Sequence, residues 1–244
     1  MMWIKPNWPA PTNVAAISTT RVGGVSLAPF DQLNLGLHVD DDPLAVEQNR
    51  QRVMQSCQLT QTPAWLNQIH SPTVLNLSQP LTETPDADGS FTRVLGLACV
   101  VMTADCLPVL LCNSEGTEVA AVHAGWRGLA GGVIDNAIAQ FSSEPEQIMA
   151  WLGPAIGPQA FEVGGEVREQ FMAEDPQAHL AFVANPAAEG KWFADLYQLA
   201  RQRLARHGVT QVYGGEYCTY QDPQFFSYRR AARTGRQASL IWLR

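Results

Sequence analysis

The chain has 244 residues, 46% of them hydrophobic and 16% charged, which is enough to bury a sizeable core in one domain spanning 1–244. Its net charge of −7 argues against a broad nucleic-acid or anionic-membrane footprint, because either needs surplus Lys and Arg on one face, so a phosphate-bearing ligand has to be met locally. Five cysteines without disulfide-framework spacing fit a reducing compartment, and the first residues lack the apolar core and cleavage site of a signal peptide, so a cytoplasmic protein is expected.

In chain order, residues 14–20 read as the first strand, and they run into a loop, residues 19–26, that carries Arg21, Gly23 and Gly24. This loop could wrap a phosphate or a sugar but matches no P-loop or dinucleotide fingerprint. Strands follow at 63–69, ending at His70, and at 74–77, with a hairpin-like turn over Asp86-Ala87-Asp88-Gly89. The longest apolar run, residues 95–103, falls far short of the roughly 20 residues a membrane helix needs. It predicts a strand at 97–102, then strands at 108–112 and 119–122 joined through a second turn, Asn113-Ser114-Glu115-Gly116. Residues 129–141 carry apolar positions at helical spacing, followed by a strand at 148–152 and helices at 166–173 and 193–207, the last ending at Gly208. Strands at 209–213 and 239–243 close the series, and Cys57 falls in the tail of a further helical stretch. Strands outnumber helices and do not alternate with them, which predicts an α/β fold with mixed sheets, or two sheets with helices outside. No linker, low-complexity tract or repeat divides the chain.

Chemistry concentrates at three strand ends. Thr103-Ala104-Asp105-Cys106-Leu107-Pro108 and His123-Ala124-Gly125-Trp126-Arg127-Gly128 each place a metal-capable or nucleophilic side chain where an apolar run breaks into a loop, and Gln68-Ile69-His70 adds a third. Two imidazoles and a thiolate suit zinc, and three protein ligands with one open position describe a catalytic site. The spacing matches no compact finger, and a single histidine at a strand end is more often structural. Arg127, beside a helix start, and the Arg229-Arg230 pair join Arg21 as candidate anion binders. Asp105, buried in an apolar run, wants a partner and is a candidate acid or base. Cys57, Cys99, Cys112 and Cys218 read as small buried hydrophobes, and His38, His179 and His207 as solvated. The segment 225–230 offers an aromatic platform with two cations.

Those motifs, with Asn34-Leu35-Gly36, Ala87-Asp88-Gly89, Gly153-Pro154-Ala155-Ile156-Gly157 and Phe226-Ser227-Tyr228-Arg229-Arg230, make the chain resemble the YfiH-like family nearly end to end. That family, long labelled polyphenol oxidase or laccase-domain protein, is described as purine nucleoside phosphorylase with adenosine deaminase activity. The resemblance implies a layered α/β/β/α fold akin to cysteine hydrolases, with zinc-binding catalytic positions at His70, Cys106 and His123. It also implies purine nucleosides (adenosine, inosine, methylthioadenosine) and inorganic phosphate as substrates; Arg21, Gln68, Arg127 and Arg229 are this sequence's own candidates for binding them. Copper at the same ligands is the alternative metal, but a laccase-type four-copper centre takes about ten histidines and the chain has five. A Cys106-His123 hydrolase dyad without metal and a non-catalytic zinc or redox module are the other readings.

Overall fold

A computed structural model describes residues 3–244. In chain order the elements are β1 (Trp3–Ile4), β2 (Val14–Thr19), α1 (Pro43–Cys57), β3 (Val74–Leu77), β4 (Gly89–Thr92), β5 (Cys99–Thr103), β6 (Leu107–Asn113), β7 (Val119–Ala124), α2 (Trp126–Ala130), α3 (Val133–Ile138) and β8 (Ile148–Leu152). They continue with β9 (Glu162–Gly164), α4 (Gly165–Glu174), β10 (Phe182–Ala184), β11 (Lys191–Ala194), α5 (Leu196–Arg206), β12 (Gln211–Gly214) and β13 (Gln237–Leu243).

The strands form a four-stranded antiparallel sheet, β1-β2-β13-β5, a mixed six-stranded sheet, β12-β8-β6-β7-β4-β3, and a small antiparallel sheet, β10-β11-β9. The two larger sheets stack. Alternate residues of β5 and β13 (Cys99, Val101, Ile241, Leu243) pack against alternate residues of β6, β7 and β8 (Leu110, Cys112, Val119, Ala121, Met149, Trp151). The opposite side chains of β5 and β13 (Val100, Met102, Leu240, Trp242) meet Val53 and Met54 of α1, while Val109, Leu111, Ala120, Val122 and Leu152 meet α2, α3, α4 and α5. Both faces of the inner strands are therefore covered, which is why they read as unbroken apolar runs without alternation. The result is a layered α/β/β/α arrangement.

Departures from the sequence reading have local causes. Residues 129–141 form no single helix: Gly131 and Gly132 part α2 from α3, and Gly132 takes a left-handed φ of 96° that a right-handed helix cannot propagate. Residues 63–69 form no strand but an extended wall held by isolated bridges, Ala64 to Cys99 and Asn67 to Asp86. The segment 86–89 is no hairpin turn, since β3 and β4 run parallel, whereas the turn at 113–116 does join β6 to β7. Helix α1, of which the sequence marks only the tail, exposes mostly polar residues and buries Val46, Asn49 and Val53; Asp42 caps its start by accepting from the Leu44 amide. Helix α5 begins at Leu196 because Asp195 caps it and residues 191–194 pair as β11. The short strands β1, β9, β10 and β11 carry too few residues for a period to be read.

Candidate metal centre

Three connections converge on one cleft. Strand β5 belongs to one large sheet and β6 to the other, so the turn between them crosses layers, and Cys106 stands on that crossing. His123 lies near the end of β7, in register with Pro108 of β6, and His70 comes from the loop before β3. The three ligand-capable atoms lie within 4.8 Å of one another, with Cys106 Sγ 3.9 Å from His70 Nε2 and the two imidazole rings 4.8 Å apart and edge-on. His123 is buried, Cys106 half-buried and His70 exposed.

Gly125 makes the convergence possible. A Cβ there would sit 2.9 Å from His70 Cδ2 and 3.1 Å from Cys106 Sγ, so any side chain would fill the cradle in which the three donors meet. Gly125→Ala should therefore lower metal affinity on the order of 10–100-fold, as loss of a supporting contact does. Equilibrium dialysis against zinc, with the melting temperature as control, checks this.

Asp88, wholly buried, organises the histidines. Its carboxylate accepts from the amides of Ile69 (3.2 Å), His70 (3.0 Å) and Ser71 (2.5 Å) and from Ser71 Oγ (2.9 Å), fixing the loop in which His70 has a left-handed φ of 62°. Its Oδ1 lies 2.7 Å from His123 Nδ1, leaving Nε2 as the atom free for a ligand. Burial opposes the charge on Asp88, but the bonds from His123 and Ser71 overcome it and hold the carboxyl below its ordinary range. Burial likewise pushes Cys106 up, yet the charge and hydrogen bond of His123, with help from His70, bring the thiol down to about 6. Burial lowers His123, and Cys106 and Asp88 outweigh it, raising the imidazole to about 9. Thiolate and imidazolium thus face each other at neutral pH. Two imidazoles and a thiolate in a prebuilt cradle, one imidazole oriented by a carboxylate, are a donor set that could hold a metal ion.

The other candidates divide. Gln68, Arg127 and Arg229 line the cleft of about 420 Å³ that holds the three donors. Gln68 uses its amide on the Met102 backbone, donating to the carbonyl (2.8 Å) and accepting from the N–H (2.7 Å). The Arg127 guanidinium lies over the Trp126 ring and donates no hydrogen bond among the described residues, while Arg229 donates to the Ala160 and Glu162 carbonyls. Arg21 is not among the lining residues; its guanidinium is held by Asp31, with Nε 2.7 Å from the carbonyl and Nη2 3.1 Å from the carboxylate. Asp105 finds its partners in Thr219 Oγ1 (2.7 Å) and the Arg229 amide (2.6 Å), which hold its φ at 96° and occupy both carboxylate oxygens. Of the proposed aromatic platform, Phe225 and Phe226 are fully buried, and Tyr228 reaches the cleft.

Trp126, Phe161, Arg236 and His38 also line the cleft. His38 reads as merely solvated in sequence, yet it stands at the cleft, because position says nothing about which loops meet. Asp88 sits in an ordinary-looking turn whose only signal is its place in the Ala87-Asp88-Gly89 motif. Cys99 and Cys112, lifted by burial to about 12, are inert core thiols, and Cys57 is raised to about 11. His207 is 3.1 Å from Asp135, and His179 faces solvent.

Comparison with known proteins places this geometry. Residues 15–244 match the family described as multi-copper polyphenol oxidoreductase laccase. The purine nucleoside phosphorylase YfiH of Escherichia coli is 56% identical over 98% of this chain and 98% of its own, and a purine nucleoside phosphorylase of Pseudomonas aeruginosa is 54% identical over 99% and 98%. A crystal structure of a Neisseria meningitidis protein superimposes with a TM-score of 0.95 at 53% identity, covering 99% of this chain and 98% of that one. YlmD from Geobacillus stearothermophilus superimposes at 0.93 with 30% identity, covering 100% and 97%. Matched across nearly its whole length in sequence and in fold, the chain belongs to the YfiH family of laccase-like proteins.

Proposed function

We propose that this chain is a purine nucleoside phosphorylase acting as one catalytic domain, with adenosine, inosine and methylthioadenosine as substrates and adenosine deamination as a second activity of the same zinc site. The observation that carries the reading is the His70, Cys106 and His123 cradle at the floor of a cleft lined by arginines and aromatic rings. The names of the bacterial relatives point the same way. The cleft volume of about 420 Å³ suits a nucleoside. Trp126, Phe161 and Tyr228 offer ring faces to a purine, and Arg127 offers unused donors to phosphate.

In phosphorolysis the C1′–N9 bond breaks, a C1′–oxygen bond to phosphate forms, and the purine leaves with a proton. His70, Cys106 and His123 would hold the zinc, which when bound would supply Lewis acidity to the cleft. The chain's own groups position: Asp88 holds His123 in one tautomer and His70 in one backbone conformation, and the arginines gather anionic oxygens against the sugar. Asp105, with both oxygens engaged, acts by fixing the turn before Cys106. A four-copper oxidase fits poorly, since the described residues bring together one three-ligand cluster. No helix among them is long and apolar enough to cross a membrane, and the cysteines are free thiols, in keeping with work in the cytoplasm.

The test is incubation of metal-replete protein with adenosine, with and without phosphate, and chromatography of the products. Phosphate-dependent adenine and ribose 1-phosphate establish the phosphorylase, and inosine or hypoxanthine the deaminase; no product in either condition overturns the reading.

One observation favours a second reading. Cys106, His123 and Asp88 form a thiolate, imidazolium and carboxylate series of the kind that activates a cysteine for acyl transfer. In metal-free protein, alkylation of Cys106 by iodoacetamide should rise with a midpoint near pH 6, because the reactive thiolate forms as pH climbs through that value. His123→Ala should move the midpoint up toward the ordinary thiol value of about 8.5, since only His70 then opposes burial. Phosphate-independent cleavage of an amide would make this the main function.

A further inference from the structure

The resemblance motif Asn34-Leu35-Gly36 has no part in the chemistry described so far, yet each of its three residues bears on the placement of Arg236. Asn34, fully buried, accepts from the Arg236 amide through Oδ1 (2.9 Å), and the Leu35 amide donates to the Arg236 carbonyl (3.1 Å). Gly36 leaves room for the arginine's stem: a Cβ there would come within 2.9 Å of Arg236 Cγ. Pairing of Gln237 with Thr103 sets Arg236 beside the turn that carries Asp105 and Cys106. The guanidinium is half-buried in the lining of the metal-donor cleft and also lines a second lobe of about 370 Å³ with Asp40, Arg233 and Thr234.

Its bonding leaves capacity for a ligand. Nη1 donates to the carbonyls of Thr234 (3.0 Å) and Gly235 (3.1 Å), and among the described residues Nε and Nη2 have no acceptor and no carboxylate forms an ion pair with the guanidinium. Burial works against its charge. Elsewhere in the cleft Arg229 is committed to two backbone carbonyls, and Arg127 is exposed. A half-buried, unpaired guanidinium with two free N–H directions beside the donors is the arrangement that recognises a tetrahedral oxyanion.

We infer that Arg236, held in place by the Asn34-Leu35-Gly36 loop, is the principal phosphate-binding residue of the cleft. This rests on the phosphorolysis reading for its physiological ligand but not for its test. Inorganic phosphate is titrated into metal-replete protein without nucleoside, and binding is followed by ³¹P NMR line width, for wild type, Arg236→Gln, Arg236→Lys and Gly36→Ala. Arg236→Gln should weaken phosphate binding roughly tenfold or more, the loss expected of a charge-assisted pair, with bound metal and circular dichroism unchanged. Gly36→Ala, which keeps the charge and displaces the stem, should weaken it in the same direction, and Arg236→Lys should keep part of it. In turnover, KM for phosphate should rise while KM for nucleoside holds.

Phosphate binding by Arg236→Gln equal to wild type, or none by wild type, overturns the inference. Arg236-dependent binding in a protein that cleaves no nucleoside upholds the anion site and removes the phosphorylase reading instead. Should Arg236→Gln fail to fold, Arg236→Lys and Gly36→Ala decide, and wild-type affinity in both overturns it.

Discussion

Cys106→Ala is expected to lose the metal and the turnover together. Support residues around a metal change its affinity by roughly 10–100-fold, so removal of one of three ligands should exceed that range. The half-buried thiol stands on a turn whose backbone is fixed by Asp105, through Thr219 and the Arg229 amide, so the fold should survive. His123→Ala should behave alike in activity. Metal content per chain, phosphate-dependent release of base and the melting curve separate these outcomes. A Cys106→Ala protein that keeps both metal and turnover would sink the proposed site.

Asp88→Ala should be the most destabilising substitution at the site. The carboxylate accepts from three backbone amides, the Ser71 hydroxyl and His123, and its removal leaves buried donors unpaired. Breaking a buried charged network of this kind costs about 3–5 kcal/mol, or roughly 10 °C in melting temperature for a chain of this size. Asp88→Asn keeps the shape without the charge, so more of the fold should remain while metal affinity still falls about 10–100-fold. Because the folded-state pKa of Asp88 is depressed, its contribution is complete above the ordinary carboxylate range and fades as pH falls through the folded value. The asparagine variant should therefore show a shallower loss of stability in acid. Wild-type metal affinity in Asp88→Asn would show that the carboxylate does not orient the ligand.

What could be read from the residues follows the physics of each element. Strands β5 to β8 are legible because burial on both faces demands unbroken apolar runs, and the cluster of three donors is legible because such runs break at chemically unusual residues. Asp88 is hidden, since an aspartate before a glycine is also the commonest sign of a plain turn. Arg21 and Arg236 show the same limit from opposite sides. Both are arginines within two residues of a glycine, and only the tertiary fold decides that one pairs with Asp31 while the other lines the cleft that holds Cys106. The break between α2 and α3 lies in plain view at Gly131-Gly132, but the apolar spacing on either side masks it.

Strand β13 lies between β2 and β5, so the four-stranded sheet lacks its middle member until the end of the chain is available. On the ribosome, His70, Cys106 and His123 emerge well before residues 237–243. Until then β2 and β5 are two unsatisfied edges, the kind of surface that pairs with the wrong partner. The wall that carries Arg236 is equally late. During synthesis the soft ligands thus exist for a time without the enclosure that later restricts what reaches them, and folding must wait on a contact that spans almost the whole sequence. Protein quality control would meet this chain chiefly in that interval.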